Sequence, residues 1–106
     1  MLKPFFIWQN KLLKRVDPRK VMVLATKKNY TEITLSDNTV YSVRSSLTRA
    51  LKKLPPDMFI KIHRSLVISI YFIDDIDRDH LIIAGEPVPI GKGFYKTFIS
   101  KLTIMD

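Results

Sequence analysis

The stretch YTEITLSDNTVYSV, residues 30–43, keeps a two-residue period on both sides of a polar triplet. Tyr30, Glu32 and Thr34 point one way and Thr31, Ile33 and Leu35 the other; after Ser36-Asp37-Asn38 the alternation resumes as Val40 and Ser42 against Tyr41 and Val43. Successive side chains of a strand leave opposite faces, and a Ser/Asp/Asn cluster between two such runs is turn chemistry, so the segment reads as a β-hairpin. This commits the middle of the chain to antiparallel strands.

The same signals recur on both sides. Phe5 to Trp8 and Lys11 to Val16 pair across a turn at Gln9-Asn10, and Asp17-Pro18 breaks the chain because proline cannot donate to a ladder. Val21 to Thr26 is a buried strand followed by a polar loop, Lys27-Lys28-Asn29. One central helix is signalled by Ser45 or Ser46 as cap, by Leu47, Leu51 and Leu54 at helical spacing, and by the stop at Pro55-Pro56. Arg49, Lys52 and Lys53 form its solvated face. Beyond it come a strand from Phe59 to Ile62, the triplet His63-Arg64-Ser65, and an apolar segment from Leu66 to Ile73 that ends in an acidic turn at Asp74-Asp75. Ile76 to Arg78 and Leu81 to Ala84 flank Asp79-His80, and Gly85-Glu86 leads into Pro87 to Ile90. Phe94, Phe98 and Leu102 are spaced for a short terminal helix.

At 106 residues the chain has room for a single core, hence one domain over residues 1–106. With 46% hydrophobic residues it is globular, and without cysteine it has neither disulfides nor zinc-thiolate sites, which suits a reducing cytoplasm. No run reaches the roughly 18 apolar residues of a membrane span, so no membrane insertion is expected. Eighteen Lys and Arg against ten Asp and Glu leave a net charge of +8. Such a field attracts polyanions, nucleic acid first among them.

Catalysis has little support. Ser65, His63 and the aspartates lie on short local segments that do not supply converging geometry. Two histidines are too few for a histidine-based metal site, Asp74, Asp75, Asp77 and Asp79 lack the glycine and terminal glutamate of a calcium loop, and no cofactor is called for. The acidic cluster reads as a solvated turn away from a basic binding face.

The string NYTEITLSDNTVYSVRSSLTRALKKLPPDMFIKIHRSLVISIYFI, followed by IIAGEPVPIGKGFYKTF, resembles the LytTR DNA-binding domain found in many bacterial response regulators. The resemblance runs from about Phe6 to Leu102 and is carried by Asn29-Tyr30, the Phe-x-x-Ile-His-Arg-Ser run beginning at Phe59, and Val88 to Lys92. It implies a mainly β fold: elongated, with small antiparallel sheets stacked together, one central short helix and a short C-terminal helix. It also implies loops, rather than a recognition helix, inserted into successive major grooves. The family usually has Asn where this chain has Ser69, and Ser-Arg where it has Gly91-Lys92. The second difference keeps the charge and replaces a fork of donors with a point charge.

Three patches follow as DNA-binding candidates. Arg64 carries a planar fork that matches phosphate or a guanine edge, and the end of a strand would hold it on an exposed loop. Beside it, Ser65 offers a hydroxyl to cap a turn at Leu66 to Ile68, and His63 is either a structural histidine or a phosphate contact. In the Lys27-Lys28-Asn29-Tyr30 loop, asparagine pairs with adenine and the lysines meet phosphates, unless this is an ordinary hairpin loop. Lys92 and Lys96 form the third patch, with Phe94 and Tyr95 between them assigned to the core.

The expected partner is double-stranded DNA, bound by two copies on repeated sites, in a cytoplasmic transcription regulator. A receiver domain would precede a response-regulator output domain, so the chain is expected to be a standalone regulator or an excised domain, with a sensor kinase upstream in the latter case. Two other readings remain: an RNA or single-strand binder, which needs exposed aromatics among the basic residues, and a basic protein-interaction domain that docks an acidic partner.

Overall fold

Two-residue turns shape this chain. The computed structural model describes residues 2–106. Strand β1 (Phe5–Gln9) turns at Asn10 and Lys11, both at positive φ, into β2 (Leu12–Val16). The turn therefore falls one residue later than Gln9-Asn10, because asparagine tolerates the left-handed region that such tight turns demand. After a single 3-10 turn (Pro18–Lys20), capped by Asp17, come β3 (Val21–Lys27), β4 (Tyr30–Leu35) and β5 (Val40–Val43).

Helix α1 (Leu47–Lys52) starts at Ser46, whose side chain accepts from the Arg49 amide, so Ser46 rather than Ser45 is the cap. Strands β6 (Phe59–His63) and β7 (Leu66–Ser69) form the next hairpin, a 3-10 turn (Ile70–Phe72) follows, and β8 (Ile73–Ile76), β9 (His80–Ile83) and β10 (Glu86–Pro89) make a meander. Asp74 and Asp75 thus lie in a strand, not in a turn. Ile73 and Ile76 bring them into register with β9, which outweighs the weak strand preference of aspartate. Helix α2 (Tyr95–Ser100) closes the described chain.

Three antiparallel sheets result: β1-β2, a central β5-β4-β3-β7-β6, and β10-β9-β8. The central sheet is buried on both faces. Val21, Leu24, Ile33, Phe59 and Val67 point into a core closed by Ile7 and Val16 of the hairpin and by Leu47 and Leu54 around α1. Ile60, Ile62 and Ile68 point the other way, against Leu81, Ile83, Ile90 and Phe98. On β3, Val21 faces the first core and Val23 the second, although both are odd-numbered. A register shift between them resets the alternation. The molecule is elongated, 47 × 32 × 25 Å, and mainly β, with small stacked sheets as expected.

Ser69, at the position where the resembled family usually has Asn, is fully buried, and its hydroxyl accepts from the Tyr71 amide at 3.3 Å. A local hydrogen bond is therefore kept with the shorter side chain.

Candidate nucleic-acid interface

Antiparallel pairing gathers one end of the central sheet. β3 runs against both β4 and β7, and β4 runs against β5. The Lys28-Asn29 turn, the Arg64-Ser65 turn and the Arg44-Ser45-Ser46 connection consequently emerge side by side. The Thr26 amide donates to the Ser65 carbonyl at 2.9 Å, joining the first two turns, and Thr31 Oγ1 donates to the Ser45 carbonyl at 2.6 Å, fixing the third.

Between these turns and α1 lies a shallow groove of 380 Å³. Its cations are Lys28, Lys61 and Arg64, its other polar groups include Asn29, Tyr30, Ser46 and Thr48, and no carboxylate lines it. A concave surface with three cations and hydroxyl and amide donors is suited to a polyanion. The Arg44 guanidinium sits over the Tyr30 ring, 5.7 Å from its centre.

Lys28 holds φ at 51°, the left-handed region usually left to glycine or asparagine, at the tip of this turn. Lys27, Lys28, Asn29, Tyr30 and Arg64 are all exposed.

His63 and Ser65 act on each other. The Ser65 amide donates to His63 Nδ1 at 3.2 Å, and Ser65 Oγ lies 2.9 Å from the same nitrogen. A ring nitrogen that accepts from an amide carries no hydrogen in the neutral ring, which puts the hydrogen on Nε2. Leu66 enters β7 directly, so Ser65 caps no turn at Leu66 to Ile68; its side chain orients His63 instead.

The third patch comes to the same end through β6. The Gly91 amide donates to the Ile62 carbonyl at 2.7 Å, and a Cβ at Gly91 would stand only 3.2 Å from His63 Cα. Lys92 is thereby set next to the His63-Arg64 turn, and both it and Lys96, on α2, are exposed. Phe94 and Tyr95 pack against the second core, as assigned from the sequence. Lys61, Arg44 and Thr48, which the sequence did not single out, complete the surface with Ser46, expected only as a helix cap. The place of Arg44 was implicit in two consecutive hairpins, whereas that of Lys61 depends on the non-local pairing of β7 with β3.

Among the described residues no group of three or more His, Asp or Glu could hold a metal ion, and no helix is long and apolar enough to cross a membrane.

The profile of the LytTr DNA-binding domain matches residues 11–103. A solved structure, the LytTr DNA-binding domain of a Bacillus cereus protein described as a methyl-accepting/DNA response regulator, superposes with a TM-score of 0.83. The two are 24% identical, and the match covers 98% of this chain and 100% of that one, a likeness of fold. None of the curated proteins matches the chain.

Proposed function

Because the chain belongs to the LytTR family of DNA-binding domains, we propose that its 106 residues act as one unit that reads duplex DNA in a sequence-specific way through the turn-bearing end of the central sheet. The family is one of DNA binding in transcription regulation, not of catalysis. The observation that carries the reading is the convergence of three separate segments, around Lys28, Arg64 and Lys92, on one end of the sheet beside a groove free of carboxylates.

In this reading Lys27, Lys28, Lys92 and Lys96 meet phosphates and set the register. Arg64 addresses a guanine edge and Asn29 an adenine, with the exposed Tyr30 lining the groove beside the turn and His63 Nε2 donating to a phosphate while Ser65 holds the ring. The two turn tips are two strand spacings apart, ~10 Å, and a major groove is ~12 Å wide, so a tip can enter where a helix would otherwise lie. Lys92 contributes charge rather than a fork, so base reading rests on Arg64 and Asn29.

So few base contacts per copy favour two copies on repeated sites, with duplex bending adding selectivity. The setting is a cytoplasmic regulator, and a receiver domain answering a sensor kinase would supply the signal where the chain forms part of a response regulator.

Selection of duplexes from a random library by the purified protein at near-physiological salt tests this directly. Enrichment of a short repeated motif is the expected result. Retention without enrichment would reduce the surface to an unspecific polyanion binder.

A further inference from the structure

The two outer layers of the fold are opposites. The β1-β2 hairpin covers one face of the central sheet and turns Phe6, Trp8 and Leu13 outward, at 56%, 67% and 54% exposure. Arg15 stands opposite Phe6 and Lys11 occupies the turn. An apolar cleft of 390 Å³ runs from Phe6 and Trp8 to Arg44 and Lys53. Residues 1–20 hold six cations (Lys3, Lys11, Lys14, Arg15, Arg19, Lys20) against Asp17 alone.

The β8-β9-β10 sheet covers the other face. Between residues 73 and 90 it holds Asp74, Asp75, Asp77, Asp79 and Glu86 against Arg78 alone. Its edge strand β8 exposes Ile76 amid these carboxylates, and Tyr71, just before it, is 67% exposed. Each layer is thus an apolar patch set in charge, and the two charges are of opposite sign.

We propose that these layers dock on each other between neighbouring copies of the chain, the Trp8 face of one copy receiving the Tyr71-Ile76 edge of the next. Within one molecule they cannot meet, because the central sheet separates them. A second copy presented hairpin to hairpin would oppose like charges, so the contact is head-to-tail. The two faces flank the turn-bearing end of the sheet, so copies side by side on DNA in one orientation would bring the layers together. The inference rests on the proposed reading of repeated sites, and supplies the contact through which two bound copies help each other.

Two charge-reversed proteins test it: Lys11→Glu with Arg15→Glu, and Asp75→Lys with Asp77→Lys. Binding is measured to duplexes carrying one and two copies of the selected site, and the ratio of the two affinities reports the contact free of changes in overall charge. The expected result is a two-site preference of about tenfold or more for the unaltered protein, lost in each variant alone. An equimolar mixture restores it in the mixed pairs, since in one order an acidic hairpin meets a basic edge and in the other the unaltered basic hairpin meets the unaltered acidic edge. A two-site preference that survives in both variants, or a mixture that restores nothing, would overturn the proposal and leave the hairpin face to another partner. An unaltered protein that binds one site specifically without any two-site preference would overturn it as well. Absence of specific binding to one site would instead count against the DNA-reading function itself.

Discussion

Thr31 and Ser45 are joined by a 2.6 Å hydrogen bond from the threonine hydroxyl to the serine carbonyl, across fourteen residues of chain. Thr31 is fully buried. The bond satisfies a hydroxyl inside the core and, in the same stroke, fixes where the β5-α1 connection leaves the sheet. Thr31→Val keeps the shape and strands the carbonyl, so it should destabilise the fold by about 1 to 3 kcal/mol. Denaturant unfolding should show a lower midpoint at unchanged slope, with Thr31→Ser losing less.

In the proposed reading, Arg64 and Lys28 make different kinds of DNA contact. Arg64→Ala should cost about 1 to 3 kcal/mol on the selected site and relax preference at one base position. Lys28→Ala should weaken all duplexes alike and flatten the salt dependence by about one unit of slope. Equal losses for Arg64→Ala on selected and random duplex would remove its base-reading role. Neither side chain is buried, so thermal stability should barely move.

Gly91 is required by proximity rather than by its own backbone angles. An added methyl would lie 3.0 Å from the Phe94 ring and 3.2 Å from His63 Cα, the latter unable to swing aside. Gly91→Ala should therefore cost about 1 to 3 kcal/mol and shift the amide resonances of residues 62–65 in a heteronuclear NMR spectrum. Unmoved resonances there would mean that the two segments are not in register as described.

His80 should titrate above its ordinary 6.5, because Asp79 accepts a hydrogen bond from its ring at 2.8 Å and stabilises the charged form. The same bond holds the Asp79 carboxyl below its usual value. The His80 contribution is complete at pH below its ordinary value and fades as pH rises through the raised one. The Asp79 contribution is present above the ordinary carboxylate value and fades as pH falls through the lowered one. Proton NMR of the imidazole should show the raised midpoint, and Asp79→Asn should return it towards 6.5.

How much could be read in advance differs from element to element. The 30–43 hairpin, the α1 cap region and the terminal helix follow from local pattern, because each side-chain period and turn residue acts within a few positions. β8 did not, since Asp74 and Asp75 are poor strand formers that only pairing with β9 overrides. Ser65 differs for a local reason: a serine before a short apolar run suggests a cap, but Leu66 enters a strand at once and the hydroxyl lies 2.9 Å from His63 Nδ1 instead. The three patches were visible as charge and turn chemistry, but their assembly at one end depends on β7 pairing with β3, a contact some forty residues distant that no local signal encodes.

The residues on the turn tips are exposed, while both cores are built from alternating positions further down the strands. In the proposed reading, recognition and folding are thus written in separate letters of the same strands. Exchanging a pair of tip residues should therefore address a new site at little thermodynamic penalty to the scaffold.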